Sequence, residues 1–248
     1  MYAERSAACG GVVWSAAAAT AAAGECHRVV PDGCMDLIWD GERVLLAGPD
    51  TRAHFADWAP GRVFAGVRLP VGVGPAVAGA PARALRDLRV PLEDVWPAAE
   101  ARRLAAQAAA APDAGAPLER AAGRRLQDGP GADPLMARVA VLLDRNTAVS
   151  QVARETGLGE RGLHRRSLAA FGYGPKTLGR ILRLDRALAA AREGTPFAEV
   201  AALAGYADQA HLSREAKQLA GAPLSVLTAH AGDANRSTQL PSGSSTIA

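Results

Sequence analysis

Lysine is nearly missing from this 248-residue chain: Lys176 and Lys217 are its only two, although Lys and Arg together number 28. With alanine also heavily favoured, composition carries little information here, and spacing must carry the argument. Cysteine is scarce too. Cys9, Cys26 and Cys34 form an odd set with no short repeated interval, which argues against a disulfide framework and fits a reducing cytoplasm. No CxxC or HxxxH spacing joins Cys26, His27, Cys34 and His54, so no metal site and no cofactor are expected. Long apolar runs are absent: Met1 to Thr20 is interrupted by Glu4, Arg5 and Trp14, which leaves neither a signal core nor a membrane span. A soluble, cytoplasmic protein is the expectation. Aromatic residues make up 4% of the chain, and all four tryptophans, Trp14, Trp39, Trp58 and Trp96, precede residue 97. They are read as core filling, with a pocket lining as the alternative.

Charge is unevenly placed. Residues 1–143 hold 15 basic against 16 acidic residues, whereas residues 144–230 hold 12 against 8. The basic excess of the second part is the electrostatic footprint that phosphate binding needs.

Two textures divide the chain, giving an α+β reading. Residues 1–97 read as a small β-rich unit expected to sense a ligand: runs at 11–14, 28–30, 35–39, 43–46 and 63–69 are separated by turn signals, with Asp40-Gly41 the clearest hairpin. Residues 98–133 read as a helical linker, ending in the breaker-rich stretch before Pro134. Residues 134–230 read as an all-α unit, and residues 231–248, rich in Ser, Thr, Gly and Asn, as a disordered tail.

The all-α unit contains an internal repeat at an offset of 48 to 49 residues. Val152, Ala153, Gly157, Leu163, Arg165 and Gly172 return as Val200, Ala201, Gly205, Leu212, Arg214 and Gly221. Each copy has the logic of a helix-turn-helix: a small residue lets two helices cross closely, glycine permits the tight turn, and leucine anchors the second helix. Between the copies, Pro175 to Glu193 reads as one helix of roughly 28 Å, close to the ~34 Å between successive major-groove faces on one side of B-DNA.

These residues, with Phe171-Gly172, Pro175-Lys176, Arg183 to Ala187 and Gly205 to Arg214, resemble the AraC/XylS transcription regulators over roughly residues 134 to 228. The resemblance implies seven helices, with the third and sixth entering the major groove of double-stranded DNA. Alanines around Glu215 and Ala220, where that family places aromatics, predict a looser second unit, and Asp208 is the predicted cap of its reading helix. The stretches Pro31 to Trp39 and Ala47 to Thr51 resemble the uncharacterised cupin-like N-terminal domains of some such regulators, which implies sensing or homodimer formation without naming an effector. An activator of this kind would also meet RNA polymerase.

On the first reading helix, Arg161, His164 and Arg165 are expected at base edges; on the second, Gln209, His211 and Arg214. Arg166, Lys176, Arg180 and Lys217 are expected at phosphates. Cys34, Trp39, His54 and Trp58 are the candidates for effector contact. Two other readings compete: an alkyl-transfer repair protein with Cys34 reactive, which lacks the clustered zinc cysteines such proteins need, and an architectural DNA-binding protein without effector, which has little need of residues 1–127. No catalytic constellation is found, so the expectation is not an enzyme.

Overall fold

The computed structural model describes residues 2–17, 26–57 and 61–229, the side chains of Cys26, His27, Asp57 and Ala229 excepted. The expectations for Trp58 and for the tail 231–248 lie outside the described residues. A β-rich N-terminal domain is followed by a helical one.

Six strands form one antiparallel sheet: β1 (Tyr2–Ser6), β2 (Val12–Ala17), β4 (Met35–Trp39), β5 (Val44–Ala47), β7 (Val63–Leu69) and β8 (Arg89–Pro91). Their spatial order is β1-β2-β7-β4-β5-β8, while β3 (Cys26–Val29) and β6 (His54–Asp57) pair separately. Alternation along the strands sorts the side chains. Val13, Leu37, Leu46, Val67 and Leu69 share one face and are buried in one core with Leu104 of α2 (Ala98–Ala110) and Leu118, Ala121 and Ala122 of α3 (Gly115–Asp128). Residues 98–133, expected as a linker, are therefore largely the second layer of this domain. The Ala-rich helices need an apolar partner, and the sheet is it. The hairpin at Asp40-Gly41 is also longer than its sequence suggests: Trp39 pairs with Val44, and the Asp40 carboxylate accepts the Glu42 and Arg43 amides at 3.0 and 2.9 Å.

The opposite face of the sheet carries charge. Arg68 on β7 is 8% exposed and lies 3.3 Å from Asp32 and 3.6 Å from Asp36, while Trp14 Nε1 donates to Asp36 at 2.9 Å. Burial, partly offset by Arg68, pushes the Asp36 carboxyl up to about 6. A carboxyl whose folded pKa is raised binds its proton more tightly in the folded chain, so it subtracts stability as pH rises from the ordinary carboxylate range through 6. Asp36→Asn should remove that loss. Urea unfolding at pH 4 and pH 7 should show a smaller fall across the interval for the variant than for the wild type, and an unchanged fall would exclude Asp36 as its source.

After a short α1 (Gly74–Ala78), the two helices already described and the 129–133 connection, seven helices follow among the described residues: α4 (Pro134–Asp144), α5 (Val149–Glu155), α6 (Glu160–Phe171), α7 (Pro175–Arg192), α8 (Phe197–Ala204), α9 (Gln209–Ala220) and α10 (Leu224–Ala229). Leu178, Ile181, Leu182, Leu184 and Leu188 of α7 run through a core shared by both repeats. Val30, Cys34 and Val71 of the N-terminal domain enter that same core beside Phe171, Tyr173 and Leu178, so the two domains are packed together.

Candidate nucleic-acid interface

The two repeats fold alike. In α5 and α8 the paired residues Val152-Ala153 and Val200-Ala201 are buried, and Leu163 and Leu212 anchor α6 and α9 with no exposed surface. Between the helices Gly157 and Gly205 hold φ of 67° and 79°, the left-handed region that a side chain penalises. At Gly205 a Cβ would also stand 2.4 Å from Asn146 Nδ2. The turn therefore fixes the angle at which each second helix leaves the first.

Those second helices present the expected residues unequally. On α6, Arg161 and Arg165 are exposed and form no ion pair among the described residues, in keeping with groups free to reach a base edge. His164 is exposed too, but its ring lies against Gly174, where a Cβ would stand 2.8 Å from it. On α9, Gln209 and Arg214 are exposed, whereas His211 is half-buried, packs edge-on to Tyr206 at 5.2 Å and accepts the Ala207 amide at 3.4 Å through Nδ1. Asp208 caps α9 as expected, its carboxylate accepting the His211 amide at 2.6 Å. The α6 N-terminus has no side-chain cap.

Of the four residues assigned to phosphate, Lys176 and Lys217 are exposed. The other two have intramolecular partners. Arg166 reaches Asp133 at 2.7 Å. Arg180 donates from Nε and Nη2 to Glu215 at 2.7 and 3.1 Å and from Nη2 to Gln218 at 2.7 Å, which ties α7 to α9. Glu215 is 7% exposed, with Arg183 at 3.9 Å on its other side, and that guanidinium lies 4.5 Å over the Tyr206 ring. A charged anchor thus stands where a looser unit was expected, and Ala216 and Ala220 are fully buried on the same helix. The second unit is not loosely packed at these positions. Sequence reading missed the anchor because Arg180 and Glu215 lie 35 residues apart.

Cys34 and Trp39 flank and end β4, roughly 17 Å apart along an extended chain, and His54 belongs to the other sheet. Cys34 is buried in the core between the domains, and burial pushes its thiol well above the ordinary range. An opening of about 290 Å³ lies elsewhere, between α2 and the β5–β8 side of the sheet, lined by Val44, Pro91, Ala101 and Ala105 with Arg43 and Arg102 beside them. Among the described residues no group of three His, Cys, Asp or Glu is placed to hold a metal, and no helix is long and apolar enough to cross a membrane.

Residues 152–229 match a family model described as a helix-turn-helix domain, and residues 11–91 match a domain of unknown function (DUF6597). No curated protein sequence matches the chain. Among solved structures, apo ToxT from Vibrio cholerae is similar at 10% identity and a TM-score of 0.49, over 90% of this chain and 98% of that one. A further ToxT structure from Vibrio cholerae gives 10% and 0.47, over 94% and 99%. ToxT described as bound to an unsaturated fatty acid gives 11% and 0.43, over 90% and 93%.

Proposed function

We propose that this chain, whose residues 152–229 are a helix-turn-helix domain of the AraC type, is a sequence-specific transcription regulator that reads two adjacent major-groove segments of double-stranded DNA. The observation that carries the reading is the duplicated turn. Two units with the same buried pair, the same left-handed glycine and the same leucine anchor are joined by α7, an 18-residue rod of roughly 27 Å. A spacer of that length suits two reading helices set about one turn of duplex apart.

Arg161 and Arg165 on α6, with Gln209 and Arg214 on α9, are the base-reading residues of this proposal; Lys176 and Lys217 serve phosphate. Arg166 and Arg180 would have to leave Asp133 and Glu215 to do so, and His211 is held by its own turn. The N-terminal domain modulates the reading. Its support is the direct packing of Val30, Cys34 and Val71 against the helical core, a contact through which an effector could alter α6 and α7. Binding, not catalysis, is the role proposed, because Cys34 is buried and burial pushes its thiol up, which makes it a poor nucleophile.

Hydroxyl-radical footprinting of the full chain on a bound site tests this. Two protected windows about 10 bp apart on one face of the duplex are expected. One window, or uniform protection, would contradict the two-headed reading.

A further inference from the structure

The ends of α6 and α9 away from the proposed base-reading residues meet one and the same element. The last carbonyls of a helix have no partner within it, and here the N-terminal domain supplies two donors. The Ala53 amide donates to Leu219 O near the end of α9 at 2.7 Å, and Arg86 Nη1 donates to Gly172 O at the end of α6 at 3.3 Å. Pro49 presses on Gly172 as well: a Cβ there would stand 2.7 Å from Pro49 Cγ and 3.3 Å from Ala82 O.

The element that makes these contacts is braced internally. Residues 48–53 run beside residues 82–89 so closely that a Cβ on Gly48 would stand 1.7 Å from Leu85 O. Asp87, held at φ 60° in the left-handed region, accepts the Thr51 amide at 2.7 Å and the Thr51 hydroxyl at 2.9 Å. Its own amide donates to Pro49 O at 3.1 Å, and Arg89 Nη1 donates to the Asp50 carboxylate at 2.7 Å. A non-glycine residue held in that region costs free energy, which the surrounding bonds offset.

We infer that residues 48–53 and 82–89 form a clamp that sets the orientation of the two reading helices relative to one another. This rests on the two-headed reading above. The helix α7 holds α6 and α9 from within the core; the clamp holds both at second points, near their C-terminal ends. Each reading helix is 12 residues long, roughly 18 Å, so a small displacement at the clamped end is carried to the end that meets DNA. Because the clamp belongs to the N-terminal domain, it is also a direct non-covalent route by which a change in that domain reaches both heads together. Its contacts are made largely to backbone atoms, which no recognition motif reveals.

Two rigidly related heads bind two blocks with high effective concentration only at the matching spacing; loosely related heads tolerate others. The test uses the full chain on a selected two-block site and on the same site with 2 bp inserted between the blocks. For the wild type the insertion should weaken binding at least ~tenfold. Two variants loosen the clamp: Ala53→Pro removes the amide donor, and Arg86→Ala combined with Pro49→Ala removes the side-chain contacts to Gly172. In each, the penalty for insertion should fall to below ~threefold, with a weaker complex at the original spacing. Thermal unfolding identifies a variant that fails to fold, in which case the other decides. Folded variants that keep the wild-type penalty would overturn the clamp. A wild type indifferent to the insertion would instead overturn the two-headed reading on which the clamp rests.

Discussion

Glu215→Ala should destabilise the protein by about 3 kcal/mol, the lower end of the range for leaving buried charges unpaired. Glu215 lies within reach of both Arg180 and Arg183, at 2.7 and 3.9 Å, and its side chain is 9% exposed. Removing it leaves two guanidinium groups close together on α7 with no counter-charge between them. The lower end applies because those arginines, at 28% and 20% exposure, still reach water and are partly screened. Glu215→Gln keeps the shape and some hydrogen bonding, and should lose less. Urea unfolding of both variants checks the ranking; a loss below ~1 kcal/mol for Glu215→Ala would make this a surface pair rather than an anchor. The position of α9 depends on the same contact, so recognition of the second DNA block should suffer more than that of the first.

Arg165→Ala is expected to weaken binding to the cognate site by roughly fivefold to 150-fold, the ~1 to 3 kcal/mol of a bidentate guanine contact. The loss should be confined to sequence discrimination in one block. Arg214→Ala should do the same to the other, since the two positions are equivalent in the repeat and both are exposed. Lys176→Ala provides the contrast: a phosphate contact contributes on every sequence, so its removal should reduce the salt slope by ~1 and leave base preference intact. Competition assays with cognate and scrambled duplexes over a salt series separate the two behaviours. Equal losses on cognate and scrambled DNA for Arg165→Ala would assign it to the backbone.

Features built within a few turns of chain were legible from residues alone. The spacing of Ala153, Gly157 and Leu163 encodes a helix crossing, a turn and an anchor within 11 residues, and its recurrence at Ala201, Gly205 and Leu212 placed both units correctly. The Asp208 cap was legible for the same reason. Strands β1, β6 and β8 were not. The outward positions of β1 are polar, and Arg5 is held instead by Asp113 and Glu119 at 3.0 and 2.8 Å, while β8 is only three residues long. The role of residues 98–133 was misread because alanine spacing announces a helix without naming what it packs on. Their partner is a sheet face assembled from strands far away in sequence.

At the candidate interface Arg161, Arg165, Gln209 and Arg214 are exposed, as residues proposed to meet DNA must be, but the sequence did not show which basic side chains were already engaged. Arg166 and Arg180 look like any solvent-facing arginine until the fold brings Asp133 and Glu215 to them. The contact between domains was hidden more deeply. It joins positions such as Ala53 and Leu219 through backbone atoms, and it buries Cys34 and Val71 beside residues more than a hundred positions away.

Selection of bound sequences from random duplex DNA by the full chain, repeated with Arg165→Ala and with Arg214→Ala, tests the central claim most directly. The account predicts two preferred blocks about one helical turn apart, one relaxed by each substitution while the other persists. A single preferred block, insensitive to both substitutions, would contradict it.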